Sequence, residues 1–230
     1  MHRIYQFIGS CICRLFLVWW NIKDFVIPPK EDTVLFVAHP DDEVLFFHSF
    51  IKEKKPYIVV LFTGWSIKRF KDFLKVMKYY GVRHKIYPLL SAGALSDPHR
   101  ASAAKKTVKR CLKRGYFHTI ATHNKTGEYG HDTHKLVNRV VSECADERNA
   151  VLIQPVDVAE IDRYPLDKEM LEEKRFIFNN LYKSEKWVID DYAAKTPVWF
   201  FHEKLKVMER DNEPVKKNTA DGTRNTEIHR

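Results

Sequence analysis

Apolar residues fall along this chain in two rhythms. Unbroken apolar runs at residues 34–38, 57–63, 119–122 and 150–155 read as strands buried on both faces, because parallel sheets wrapped by helices show no alternation. Residues 85–90 form a weaker run of the same kind. Between the runs, apolar positions recur at helical spacing: Leu45, Phe46 and Phe50; Phe70, Phe73, Leu74, Met77 and Tyr80; and Leu136, Val137, Val140 and Val141. Ser66 is placed to cap the second helix and Gly81 to end it. A basic helix is expected over 101–115, and a long one over 167–183, opened by Pro165 and Asp167. Residues 198–201 read as an added edge strand. Strands alternating with helices predict an α/β fold, a Rossmann-like three-layer sandwich with a mostly parallel sheet of five or more strands flanked by helices.

The 230 residues suit one domain of this kind, expected over 31–209. Residues 1–30 would be an apolar segment and linker, and 210–230, polar without apolar period, a disordered tail. In residues 1–22, Ile4, Phe7, Ile8, Cys11, Leu15, Val18 and Trp19 are apolar, with Trp20 beside them and Arg3 and Arg14 interrupting. The run is too short, and its central Arg too costly, for a comfortable membrane span. Either it packs its apolar face on the domain, or it lies in a membrane interface as a peripheral contact.

The formal net charge is +9, with 44% hydrophobic and 30% charged residues. Lys and Arg are spread along the chain rather than blocked, so no nucleic-acid role is expected. Cys11, Cys13, Cys111 and Cys144 form no C-x-x-C pair and no structural zinc spacing. Cys111 and Cys144, in expected helices, fit buried thiols, and the absence of a disulfide framework fits a reducing compartment, which places the protein in the cytoplasm, with membrane association open through the N-terminal segment.

The candidate chemistry begins where the first strand breaks: His39-Pro40-Asp41-Asp42-Glu43. Ligands of open α/β sheets bind at the C-terminal ends of strands. Four ionisable groups packed at such a turn invite a neutralising cation. His39 and Asp42 can point at one ion, and His131 and His134, three apart at a helix start, share a side. Two His and one carboxylate with an open position form the ligand set of a catalytic zinc. Asp41 is left over as a general base, and one loop histidine, protonated, as an oxyanion stabiliser. The plainer alternative is a solvated turn with Asp41 or Asp42 capping the helix. Glu128 and Tyr129 are candidates for the substrate entrance, with a plain turn as the alternative; His48 and His123 are read as structural.

These motifs resemble the PIG-L/LmbE-like zinc-dependent de-N-acetylases. Ala38-His39-Pro40-Asp41-Asp42-Glu43 is similar to that family's signature, and Thr122-His123-Asn124 with Gly127-Glu128-Tyr129-Gly130-His131-Asp132-Thr133-His134 to its second motif. Arg69 with Asp72, Lys174, and Tyr182 with Ser184 resemble weaker ones. The resemblance implies that His39, Asp42 and His134 ligate Zn2+, that Asp41 is the base, that His131 stabilises the tetrahedral intermediate, and that Arg69 contacts the sugar or an attached phosphate. Other divalent ions, iron or cobalt among them, suit such a set. The implied substrate is an N-acetylglucosamine-type sugar or glycoconjugate. Thr133 departs from the acidic residue or Gln expected there, which leaves the orientation of His131 open and admits a second reading, a catalytically inactive glycan- or lipid-binding protein on the same fold.

Overall fold

A computed structural model describes residues 29–63, 66–87, 89, 96–186 and 197–209. Expectations for the N-terminal segment, for Cys11 and Cys13 and for the tail from 210 lie outside the described residues. Six strands form one sheet: β1 (Thr33–Val37), β2 (Tyr57–Val60), β3 (His84–Ile86), β4 (Thr119–Thr122), β5 (Val151–Pro155) and β6 (Leu205–Val207). The order is β3-β2-β1-β4-β5-β6, parallel throughout except that β6 runs antiparallel to β5.

β1 lies at the centre and is buried along its whole length. Its side chains alternate between two cores. Leu35 and Val37 face α1 (Asp42–Lys54), α2 (Ile67–Tyr80) and the C-terminal elements, whereas Val34 and Phe36 face α3 (Pro98–Leu112) and α4 (Asp132–Asp146). Burial of both faces is why the sequence shows a run rather than an alternation. Chain direction reverses on either side of β1: the chain moves outward through β2 and β3, then returns to β4. The crevice between the C-terminal ends of β1 and β4 is therefore the switch point where such sheets hold ligands.

The Ser66 cap forms, its side chain accepting the Arg69 N–H at 3.2 Å, and Gly81 ends α2 at φ 66°. α3 starts earlier than expected, because Asp97 accepts the His99 N–H and Pro98 occupies the first helical position. Cys111 and Cys144 are buried free thiols. Among the described residues no helix is long and apolar enough to cross a membrane.

Two expectations need correction. Residues 198–201 are not a strand. They form most of a short helix, α7 (Pro197–Phe201), and the edge role passes to β6. Trp199 and Phe200, adjacent in sequence, are both buried in one core, which a strand's alternation forbids. The long helix expected over 167–183 is also broken. After the short α5 (Val158–Ile161), α6 (Lys168–Phe176) gives way to a π-helical turn, Ile177–Leu181, and then a 3₁₀ turn, Lys183–Glu185. The π turn buries Ile177 and Phe178 together and delivers Tyr182 and Glu185 to the switch point.

Candidate functional site

The site is built on three turns. The first leaves β1 and enters α1. Asp41 takes the N-cap position by its backbone, its carbonyl accepting the Val44 and Leu45 N–H groups, but its side chain caps nothing. Glu43 braces the turn instead, its Oε2 accepting the Asp41 N–H at 2.9 Å. Asp41 is held at φ 114°, a conformation L-residues rarely adopt, and this turns its carboxylate toward Arg69. Asp42 folds back so that Oδ2 accepts the His39 N–H at 2.7 Å.

The second turn follows β4 and enters α4. Gly127 at φ 70° allows it: a Cβ there would meet the His131 carbonyl oxygen at 2.6 Å. His134 is then brought opposite Asp42, with Nε2 3.4 Å from Asp42 Oδ1, and His39 Nδ1 lies 3.4 Å from Asp42 Oδ2. The His39 ring centroid is 5.5 Å from that of His134 and 5.1 Å from that of His131. The two turns, nearly a hundred residues apart in sequence, converge.

The third turn comes from the C-terminal elements. Tyr182 donates its O–H to Glu43 at 2.5 Å, and Glu185 sits 3.0 Å from Arg69 Nε. Asp72 accepts the Ser184 N–H and so ties α2 to the same turn. Glu185 had no signal in the sequence; Tyr182 was noted only through the resemblance.

The residues singled out in sequence are not all placed as expected. Arg69, expected on the substrate, is engaged internally: Nε and Nη2 donate to the Pro40 carbonyl, and Nη2 also to Asp41 at 2.7 Å. Its fork fixes the Asp41 turn. Glu128, expected at the entrance, is buried, and its Oε2 lies 2.7 Å from His134 Nδ1 and 3.1 Å from His123 Nδ1. A carboxylate so enclosed does not meet substrate. Tyr129 is 36% exposed and stacks on Phe46 at the rim, where a ligand can reach it. His123 is buried, its ring stacked on His134 at 3.9 Å.

Electrostatics follow from this crowding. Burial pushes the Asp41 carboxyl up against the pull of Arg69, and neighbouring Asp42, Glu185 and Glu43 push it further. Burial would raise Asp42 as well, but His134 and the imidazoles around it hold it well down. Glu43, buried beside Asp42, is raised to about 7 despite the Tyr182 hydrogen bond. Burial lowers His39, Asp42 opposing. Burial opposes charge on His134 too, yet the Asp42 and Glu128 carboxylates raise it to about 9. His131 goes the other way: burial, with the adjacent His134 and His39 rings, lowers it to about 4. Its Nδ1 accepts the Thr133 N–H at 3.2 Å, so the proton of the neutral ring is on Nε2. The expectation of a protonated His131 is thus corrected. The backbone of Thr133, at the start of α4, orients the ring without needing an acidic side chain.

The residues fit a divalent ion. His134 Nε2 is buried and makes no well-directed hydrogen bond, with an Asp42 carboxylate oxygen 3.4 Å in front of it. Tetrahedral donors bound at zinc distances lie about 3.3 Å apart; His39 Nδ1 and His134 Nε2 each lie 3.4 Å from an Asp42 oxygen, the first from Oδ2 and the second from Oδ1. The donor atoms of His39, His131 and His134 lie within 4.8 Å of one another, and so do those of Asp42, His123 and His134.

Sheet order, switch point and donor set define an α/β protein with a candidate metal centre on its central strand. Comparison with known proteins agrees with the fold. A deacetylase of the teicoplanin biosynthesis pathway, solved as a bog complex, superposes with TM-score 0.57 at 13% identity, over 78% of this chain and 99% of its own. The zinc-inhibited form of teicoplanin deacetylase Orf2 gives 0.52 at 13% identity, over 78% and 99%. The A40926 pseudoaglycone deacetylase Dbv21 gives 0.53 at 15% identity, over 70% and 85%. The chain therefore shares the fold of these solved structures, as the resemblance implied. No family model matches it. Uncharacterized protein L374 of Acanthamoeba polyphaga mimivirus is 23% identical over 129 residues, covering 49% of this chain and 57% of that protein, so the match spans little more than half of the relative's length.

Proposed function

We propose that this protein is a metal-dependent hydrolase that removes the acetyl group from an N-acetylated sugar or glycoconjugate. The observation that carries the reading is the convergence of His39, Asp42 and His134 around the unpartnered Nε2 of His134. A divalent ion, zinc by the chemistry of the donor set, would act there as a Lewis acid and make water a nucleophile at neutral pH. The chain's own groups do the rest. Asp41 takes a proton from the attacking water as the C–O bond forms, and returns it to the departing nitrogen as the C–N bond breaks. The products are acetate and the sugar amine. Burial, which raises the Asp41 pKa, favours the return of that proton. Arg69 and Glu185 hold that carboxylate in line. The His131 Nε2–H donates to the carbonyl oxygen as charge builds on it, and being neutral it does not compete with the cation. Tyr129, half open on Phe46, offers a face for the sugar ring.

The solved deacetylases sharing the fold, one of them in complex with teicoplanin, support a glycan-bearing amide as substrate. The net charge of +9 favours an anionic one. The buried thiols fit a reducing compartment, so this reading puts the reaction in the cytoplasm, with residues 1–22 either packed on the domain or in peripheral contact with a membrane; retention on vesicles after deletion of residues 2–20 would remove the membrane contact. The function is tested by metal analysis and by acetate release from a panel of N-acetylglucosamine conjugates. Asp41→Asn must abolish release while metal content stays within about twofold of the parent. Unchanged turnover in that variant would remove the proposed base.

A further inference from the structure

Two overlapping donor sets meet in this site, and distance alone does not choose between them. His123 Nε2 is 3.4 Å from Asp42 Oδ2, the same separation that His134 Nε2 keeps from Oδ1. Hydrogen bonding does choose. The Ala38 N–H donates to His123 Nε2 at 2.9 Å. A backbone N–H can only donate, so the His123 Nε2 lone pair is taken and its ring proton is on Nδ1, facing Glu128 Oε2 at 3.1 Å. His134 presents its own Nδ1 to the same oxygen at 2.7 Å, which leaves Nε2 open toward Asp42.

We propose that Glu128 and the Ala38 N–H together select the metal ligands of this site: Glu128 Oε2 takes Nδ1 of both rings and leaves His134 Nε2 open to the ion, while the Ala38 N–H occupies His123 Nε2 and closes that ring, which instead ties the His39 turn to the second loop. This inference rests on the metal-dependent reading above and adds what holds His134 open to the ion and keeps His123 from it. It makes Glu128 and His123 positioning residues. Ala38 immediately precedes His39, so the link from Ala38 through His123 and Glu128 to His134 sets the spacing of two ligands that come from different turns.

The clamp is fully built. Glu128 Oε1 accepts the Asn124 N–H at 2.8 Å, and the Glu128 N–H donates to Asn124 Oδ1 at 2.8 Å. Asn124 Nδ2 reaches the Val156 carbonyl, and Asn138 Nδ2 reaches that of His123 at 2.7 Å. β1, β4, α4 and the chain leaving β5 are thereby joined around one buried carboxylate. Positioning partners of metal-binding imidazoles typically change metal affinity by about 10–100-fold when removed.

The experiment uses the full chain stripped with chelator and reloaded. With 113Cd as the probe, scalar coupling is expected to the ring nitrogens of His39 and His134 and not to those of His123. With Zn2+ titrated against a competing chelator, His39→Gln and His134→Gln should lose more than about 100-fold in affinity, and Glu128→Gln about 10–100-fold. His123→Gln, whose amide can both accept from Ala38 and donate to Glu128, should stay within about fivefold. Coupling to His123, or a loss in His123→Gln equal to that in His39→Gln, overturns the proposal. Unchanged affinity in a folded Glu128→Gln overturns it too. The 113Cd measurement needs no variant, so a variant that fails to fold leaves the proposal open to refutation. A parent chain that binds neither ion sinks the hydrolase reading together with this inference, an outcome distinct from the others.

Discussion

Asp41 offers a measurement in which backbone strain is separated from side-chain chemistry. It is a non-glycine residue at φ 114°, ψ −34°, in a buried turn. Residues held in such sparsely populated regions carry about 1–3 kcal/mol of strain. Asp41→Ala removes the carboxylate and its contact with Arg69 but keeps the Cβ and the strain. Asp41→Gly removes both. The difference between the two variants therefore isolates the backbone. Glycine loses about 0.5–1 kcal/mol through the greater freedom of its unfolded chain. Relief of strain outweighs this, leaving Asp41→Gly more stable than Asp41→Ala by about 0.5–2 kcal/mol. For a domain of this size that is about 1–8 °C in melting temperature. Urea unfolding of the two proteins side by side reads the difference, and acetate release should be lost in both. If the alanine variant were more stable than the glycine variant by the full cost of glycine, about 0.5–1 kcal/mol, the strain would not exist, and the claim that this turn is held out of shape to aim a carboxylate would fail with it.

Other expectations follow from the same geometry. Arg69→Lys should lower kcat about 10–100-fold with KM within about threefold, because a lysine cannot span Pro40, Asp41 and Glu185 together; a rise in KM at constant kcat would return Arg69 to the substrate. Phe46→Ala should cost about 3–5 kcal/mol in urea, since Phe46 packs edge-on against His123, His134 and Trp199, and a loss under about 1 kcal/mol would contradict that packing. Burial, with the charge of Lys174, pushes His48 down to about 4 from 6.5. The unfolded chain then binds the extra proton between those values, so stability is kept above pH 6.5 and falls by about 3 kcal/mol as pH drops through that window. His48→Gln should flatten that part of the pH–stability curve, and an unaltered slope would refute the assignment.

The sequence by itself determined the α/β alternation, the five parallel strands to within a few residues, and the polar turn after β1. These are local statements: a buried run, a helical stripe, a capping serine and a terminal glycine each act within a few residues. It also singled out His39, Asp41, Asp42, His131 and His134, because imidazoles and carboxylates at a strand end are conspicuous wherever the fold later puts them. What it left undecided was the direction each side chain faces. Glu128 and Arg69 read as surface residues of a loop and a helix; tertiary structure turned one into a buried acceptor for two rings and the other into a brace for Asp41. Nothing near Thr133 foretold that its backbone N–H would orient His131. Residues 198–201 have strand-like composition, but two adjacent aromatics had to enter one core, and only a helix satisfies that. Whether His123 Nε2 is free to face the candidate ion depends on a hydrogen bond from Ala38, 85 residues away in the chain, which local patterning does not encode.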